Sequence, residues 1–219
     1  MRGLSLLLTM AACSSAPQPT MFTTGGGDVP AQTGMTYRWS FDDASVGTLP
    51  SDLVVSLGQW AVASDPAAPS GPNVMRQTGH YGDPDFPRVI VKDLTFGDFT
   101  LRVRCRPESG DTDRACGLMF RLQDSENYYV VRANALEDNV NLYHVVRGDR
   151  SQFAGKDVGV SAGAWHTLEV AARGSTFTVR WDGTELFSAS DATFARGKIG
   201  LWTKADSVTA FDSVEITAE

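Results

Sequence analysis

The sequence predicts an all-β fold, either a two-sheet antiparallel sandwich or a closed barrel. Three observations carry the expectation. Short runs alternate apolar with polar residues, those runs are rich in Val, Phe, Tyr and Trp, and Gly, Asp and Asn fall between them. No stretch sustains a helical period, and no internal repeat or second domain is visible in the 219 residues.

The runs start at Tyr37. In order they are "YRWSF", "LVVSLGQWAV", "RVIVKDL", "DFTLRVRCR", "CGLMFRL", "NYYVVRAN", "NVNLYHVVRG", "WHTLEVAAR", "TFTVRWDG", "ELFSA", "KIGLWT" and "VTAFDSVEI". The clearest turn is Trp181-Asp182-Gly183-Thr184, where Asp-Gly between two alternating runs suits a two-residue hairpin at positive φ.

The N-terminus reads "MRGLSLLLTMAACSSAPQPT". Arg2 is a short positive region, Leu4 to Met10 a short apolar run, and Met10-Ala11-Ala12 places small residues before Cys13. This is a secretory signal, too short to span a bilayer. The small-small-Cys ending resembles a bacterial lipobox, in which Cys13 is acylated after removal of residues 1–12. Plain signal-peptidase cleavage near Ala12 to Ala16 is the other reading. Residues 13–35 are small, polar and rich in Gly and Pro, and read as a flexible tether. The folded domain is then expected over residues 36–219. The implied location is the periplasmic or outer surface of a bacterial envelope, with the membrane reached through the lipid anchor only.

The formal net charge is −7, which argues against a nucleic-acid partner, since duplex binding needs cations to neutralise phosphates. Against this acidic background "FTLRVRCRP" places Arg102, Arg104 and Arg106 on one parity and Leu101, Val103 and Cys105 on the other. A strand would turn the two sets to opposite faces. The next runs repeat the pattern, with Arg121 in "CGLMFRL" and Arg132 with Asn134 in "NYYVVRAN". If these strands are neighbours, their arginines share one sheet face, joined by Asn141, Tyr143 and Arg147 on the following run and by Trp202 and Lys204 in "KIGLWTK". Two readings fit. One is a solvated face whose arginines pair with nearby acids. The other is a ligand groove, in which Arg and Asn donate to hydroxyls or carboxylates and an aromatic ring carries a sugar face.

Cys105 and Cys116 each lie on the apolar parity of their runs. On adjacent strands of an exported protein they would face each other as a disulfide. Two buried free thiols are the alternative.

Three acidic positions near the two ends of the domain, Asp42, Asp43 and Asp212, are candidate calcium ligands if the first and last strands pair. Ordinary strand-edge aspartates are the plainer reading. No other cofactor is implied. Glu137 and Asp138, in "ANALEDNVN", form either a turn or a carboxylate pair at the sheet rim that serves as acid or base. His80, His144 and His166 show no Ser-His-Asp or zinc spacing.

"NYYVVRANALEDNVNLYHVVRG", "AWHTLEV", "FTVRWDGTELFSASDATF" and "GKIGLWTKADSVTAFDSVEI" resemble a bacterial family of concanavalin A-like jelly-roll domains. These are related to the 3-keto-disaccharide hydrolase domain and to laminin-G-like lectin modules. The resemblance runs from about Tyr37 to Thr217. It implies an antiparallel jelly-roll sandwich with a concave sheet that takes ligands. The Glu-x-Asp-x-Glu strand of laminarinase-type glucanases is absent. Where the 3-keto-disaccharide branch carries Asn-Ser-Gly, this chain reads Ala115-Cys116-Gly117, although the Arg121 position is kept. The leading expectation is therefore a domain that binds carbohydrate on its concave sheet. A glycoside hydrolase of the 3-keto-disaccharide type and an envelope protein-interaction module are the alternatives.

Overall fold

Alternating burial along most strands, with near-continuous burial along three, organises the molecule. A computed structural model describes residues 27–219. In chain order the strands are β1 (Val29–Pro30), β2 (Thr36–Trp39), β3 (Leu53–Leu57), β4 (Trp60–Ser64), β5 (Asn73–Gln77), β6 (Arg88–Val91), β7 (Leu94–Thr95), β8 (Phe99–Ser109) and β9 (Ala115–Asp124). They continue with β10 (Asn127–Asn134), β11 (Asn139–Val146), β12 (Asp149–Asp157), β13 (His166–Arg173), β14 (Thr176–Trp181), β15 (Thr184–Ser190), β16 (Lys198–Trp202) and β17 (Val208–Ala218).

Two large antiparallel sheets form a jelly-roll sandwich. One runs β12-β11-β10-β9-β16-β6-β3, and the other runs β15-β14-β13-β8-β17-β5-β4 with β2 added beside β17. The core between them is strongly aromatic. Phe99 and Phe177 from one sheet meet Phe120 and Tyr129 from the other, with ring centroids 4.8–5.8 Å apart. Such contacts add about 0.5–1.5 kcal/mol per pair beyond the area they bury.

The hairpin at Asp182-Gly183 has both residues at positive φ, 48° and 80°, and joins β14 to β15 with Trp181 opposite Thr184. The first and last long strands pair, as Trp39 sits opposite Val214. Three features depart from expectation. "LVVSLGQWAV" is two strands in different sheets, broken at Gly58, whose φ of 113° suits glycine and whose missing Cβ leaves room for the Trp60 indole. The polar β12 was not legible because it lies mostly exposed at a sheet edge, without apolar alternation. Val29–Pro30, inside the stretch read as tether, pairs in parallel with Leu94–Thr95. Asp28 also meets Lys198 at 2.8 Å. Cys13 lies outside the described residues. Among the described residues no helix is long and apolar enough to cross a membrane.

The main correction concerns β8 and β9. Successive in sequence, they lie in opposite sheets and not side by side. Cys105 and Cys116 form a disulfide across the sandwich core, with Cα atoms 6.3 Å apart. Core parity is satisfied equally by neighbouring strands and by strands that face each other, so parity alone did not distinguish the two.

The bridge closes a short loop between the sheets, and the chain-entropy account gives it roughly 2–3 kcal/mol. Replacing both cysteines by alanine is expected to lower unfolding stability by that amount in denaturant titrations. Reductant is expected to destabilise the parent and leave the variant unchanged.

Candidate functional site

Strands β9 and β10 are buried at nearly every position. Their second apolar parity, with neighbours on β11 and β16, builds a floor on the outer side of the seven-stranded sheet: Met119, Tyr128, Val130, Tyr143, Val145 and Trp202. Gly117 makes this floor possible, because a Cβ there would stand 3.0 Å from the Trp202 ring. The segment between β5 and β6 covers it. Phe86 stacks on Trp202 at 5.3 Å, and Arg150 lies over the rings of Phe86 and Tyr143 at 5.0 and 4.5 Å. Backbone hydrogen bonds tie the cover down, since Thr203 N donates to the Pro87 carbonyl and Ala205 N to that of Asp85.

A polar cluster lies at one end of this floor. Arg132, on β10 opposite Gly117 and Asn141, is 3% exposed. Its guanidinium donates to Glu137 Oε2 at 2.7 Å, the Tyr143 hydroxyl at 3.1 Å and Asn139 Oδ1 at 3.3 Å. Lys204 Nζ reaches Asp83 Oδ1 at 2.6 Å and Asp113 Oδ2 at 3.4 Å. Asp113 is presented inward because the Asp206 carboxylate accepts the backbone N–H groups of Asp111, Thr112 and Asp113.

The environments of two carboxyls diverge. Burial pushes the Asp113 carboxyl above its ordinary range against the pull of Arg132 and Lys204. Burial also opposes the charge on Glu137, but the hydrogen bond and charge of Arg132, helped by Asn139 and Lys204, hold that carboxyl below its usual value. Several buried atoms on these residues have no partner: Asp113 Oδ1, Arg132 Nε, Asn134 Nδ2 and Trp202 Nε1. Buried polar groups are nearly always paired, so unused bonding capacity in one cluster is notable.

Of the residues expected on one sheet face, Arg132, Asn134, Tyr143, Trp202 and Lys204 share one, with Glu137 at its rim. Trp202 is fully buried under Phe86 and offers no open ring face. Arg104 is on β8, so it lies on the other sheet and points away from this cluster. Arg121 faces inward. Its φ of 48° marks a bulge in β9 that reverses the strand's parity, and its guanidinium donates to the carbonyls of Gly97, Phe194 and Gly174. Asp138 occupies a turn at positive φ and accepts from Val160 N at 2.9 Å.

Asp42 and Asp212 come together around Ser70, whose hydroxyl lies 3.4 and 2.6 Å from their carboxylates. Asp43 makes no hydrogen bond to either, and Ser70 N and Ser213 N already serve the Asp212 oxygens. Asp42 and Asp212 are thus brought together and Asp43 is not, and among the described residues no group of three acidic, His or Cys side chains is placed to hold a metal. His144 and Tyr129 both bond Asp191, and His166 bonds Asp182, so these two histidines are each held by one aspartate without a nucleophile.

Sequence reasoning missed Asp83, Phe86, Asp113 and Arg150. The first three sit in loops, where periodicity is silent, and Arg150 belongs to the polar edge strand.

The sandwich is of the concanavalin A-like class. It is similar to carbohydrate-binding module CBM66 from Bacillus subtilis, at 21% identity over 75% of this chain and 94% of that one, with a TM-score of 0.63. A Bacillus subtilis protein of unknown function with a galectin-like fold matches at 12% identity over 85% and 97% of the two chains, with a TM-score of 0.62. Bacillus licheniformis β-glucanase matches at 13% identity over 86% and 100%, with a TM-score of 0.56. No curated protein matches the chain. Residues 56–217 match the pattern that defines the 3-keto-alpha-glucoside-1,2-lyase-like domain, and the chain belongs to that family.

The geometry separates the roles of two buried arginines. Arg121→Met is expected to cost about 1–3 kcal/mol in denaturant unfolding, because the half-buried carbonyls of Gly97 and Phe194 lose their charged donor. An unchanged midpoint would show that water replaces the guanidinium.

Proposed function

We propose that this is an exported carbohydrate-binding domain, anchored through acylated Cys13, that takes a glycan at the polar end of the seven-stranded sheet. The unpaired buried groups on Asp113, Arg132, Asn134 and Trp202, gathered beside the half-exposed Glu137, carry this reading. They are donors and acceptors of the kind that sugar hydroxyls satisfy. Phe86 holds the stacking position on Trp202, so a sugar ring takes that place only when the β5–β6 segment moves aside. The domain's relation to carbohydrate-binding modules and glycosidases supports the same class of ligand.

A glycan array on the chain from Gly27 onward, which contains every described strand, is expected to find a ligand. Glu137→Gln is then expected to weaken it roughly ten- to a hundred-fold, the effect of losing a charged hydrogen-bond partner. Full affinity in that variant, or no ligand for the parent, would return the surface to a covered structural face.

One observation favours a second reading, a 3-keto-disaccharide-cleaving enzyme. The carboxyls of Asp113 and Glu137 are pushed in opposite directions, which is how an acid and a base are separated in one site. Release of free sugar from a 3-keto-disaccharide, lost in Asp113→Asn, would establish it.

The anchor has its own test. Cys13→Ser is expected to abolish palmitate labelling and release the protein from membranes. Unchanged membrane association in that variant would overturn the lipid anchor.

A further inference from the structure

The eight-stranded sheet turns its outer face away from the Arg132 cluster, and that face carries a row of alternating charge. Arg38 on β2, Glu215 on β17, Arg102 on β8, Glu169 on β13, Arg180 on β14 and Glu185 on β15 follow one another in register. Glu215 pairs with Arg38 at 2.6 Å and Arg102 at 2.9 Å, and Arg180 pairs with Glu169 and Glu185 at 2.9 Å each. Arg106, further along β8, is likewise held by Asp65 and Glu108 and lies over Trp165.

Arg104, between them, is different. Among the described residues it makes no ion pair, and its Nε is buried without a partner. Its cross-strand neighbours are Thr167 and Asp212. Asp212 is already engaged by Ser70 and Ser213.

Arg104 lines a cavity of about 490 Å³, within the range of small-molecule sites. A bulge in β17 opens it, since the register slips between Asp212 and Glu215 with Ser213 at a φ of 49°. Trp39, Pro69 and Val214 give the cavity apolar wall, and Ser40, Ser70 and Thr167 give it hydroxyls.

We propose that this groove is a second ligand site, and that it binds a sugar bearing a carboxylate, a uronate. The Arg104 guanidinium presents a planar fork that matches a carboxylate. Arg38 and Arg102 share the single carboxylate of Glu215, and the Asp42 and Asp212 carboxylates behind Ser70 are occupied by its hydroxyl, which leaves Arg104 as the guanidinium without a partner. The serine and threonine hydroxyls meet ring hydroxyls, and the Trp39 ring takes the apolar face of the sugar. The site is independent of the Arg132 cluster, being built on the opposite sheet.

Titration calorimetry of the whole chain with glucuronate, glucose and inorganic sulfate tests it. Glucuronate is expected to bind, glucose and sulfate more weakly. Arg104→Gln is expected to weaken glucuronate at least tenfold, and Arg104→Lys, which keeps the charge and loses the fork, to fall between. Arg180→Gln removes a paired arginine of the same face outside the groove and is expected to change nothing. No saturable glucuronate binding, parent affinity in Arg104→Gln, or sulfate bound as tightly as glucuronate would each overturn the proposal. A glycan found or not found at the Arg132 cluster bears on neither result.

Discussion

Strands β9 and β10 bury side chains on both faces, so the seven-stranded sheet needs cover on its outer side as well as against the core. The β5–β6 segment supplies that cover with Phe86, and Arg150 from the edge strand lays its guanidinium across the rings. This second apolar layer removes water from Arg132 and Asp113. Charges held there are costly unless paired, which is why Arg132 gathers Glu137, Tyr143 and Asn139 around it. The site is thus a product of how the sheet is covered.

The two outer faces treat charge differently. On the eight-stranded sheet the pairs of Arg38, Arg102 and Arg180 are partly solvated and contribute little to stability, while Arg106 with Asp65 is largely buried. Their effect there is to neutralise one another, so that a single arginine is left over where β17 bulges. On the seven-stranded sheet Arg132 and Asp113 are buried, and their charges depend on Glu137 and Lys204 beside them. Low local dielectric strengthens each bond and raises the cost of leaving any group alone.

Bulges account for much of this placement. One in β9 turns Arg121 inward, away from the face its alternation assigned, and one in β17 opens the groove beside Arg104. Each inserts a residue at positive φ that is not glycine, and nothing in the local composition marks it. The hairpin at Asp182-Gly183 is the contrasting case, where the residues required by the backbone geometry are those in the sequence.

The sequence by itself determined the all-β class, most of the strands, the core parity of each, the Asp182-Gly183 turn and the family resemblance. It also picked out Arg132, Asn134, Tyr143, Trp202 and Lys204 as companions on one face. These depend on period-two alternation and turn chemistry, which are local properties of the chain. Tertiary structure alone decided which sheet each strand joins. It sent β8 and β9 to opposite sheets, carried Arg104 to the far side and made Cys105 and Cys116 a bridge across the core. It also brought the loop residues Asp83, Phe86 and Asp113 to the site. The physical reason is that alternation reports only whether a side chain faces the core. Two strands satisfy that condition equally well side by side or face to face, and only packing of the whole chain chooses between them.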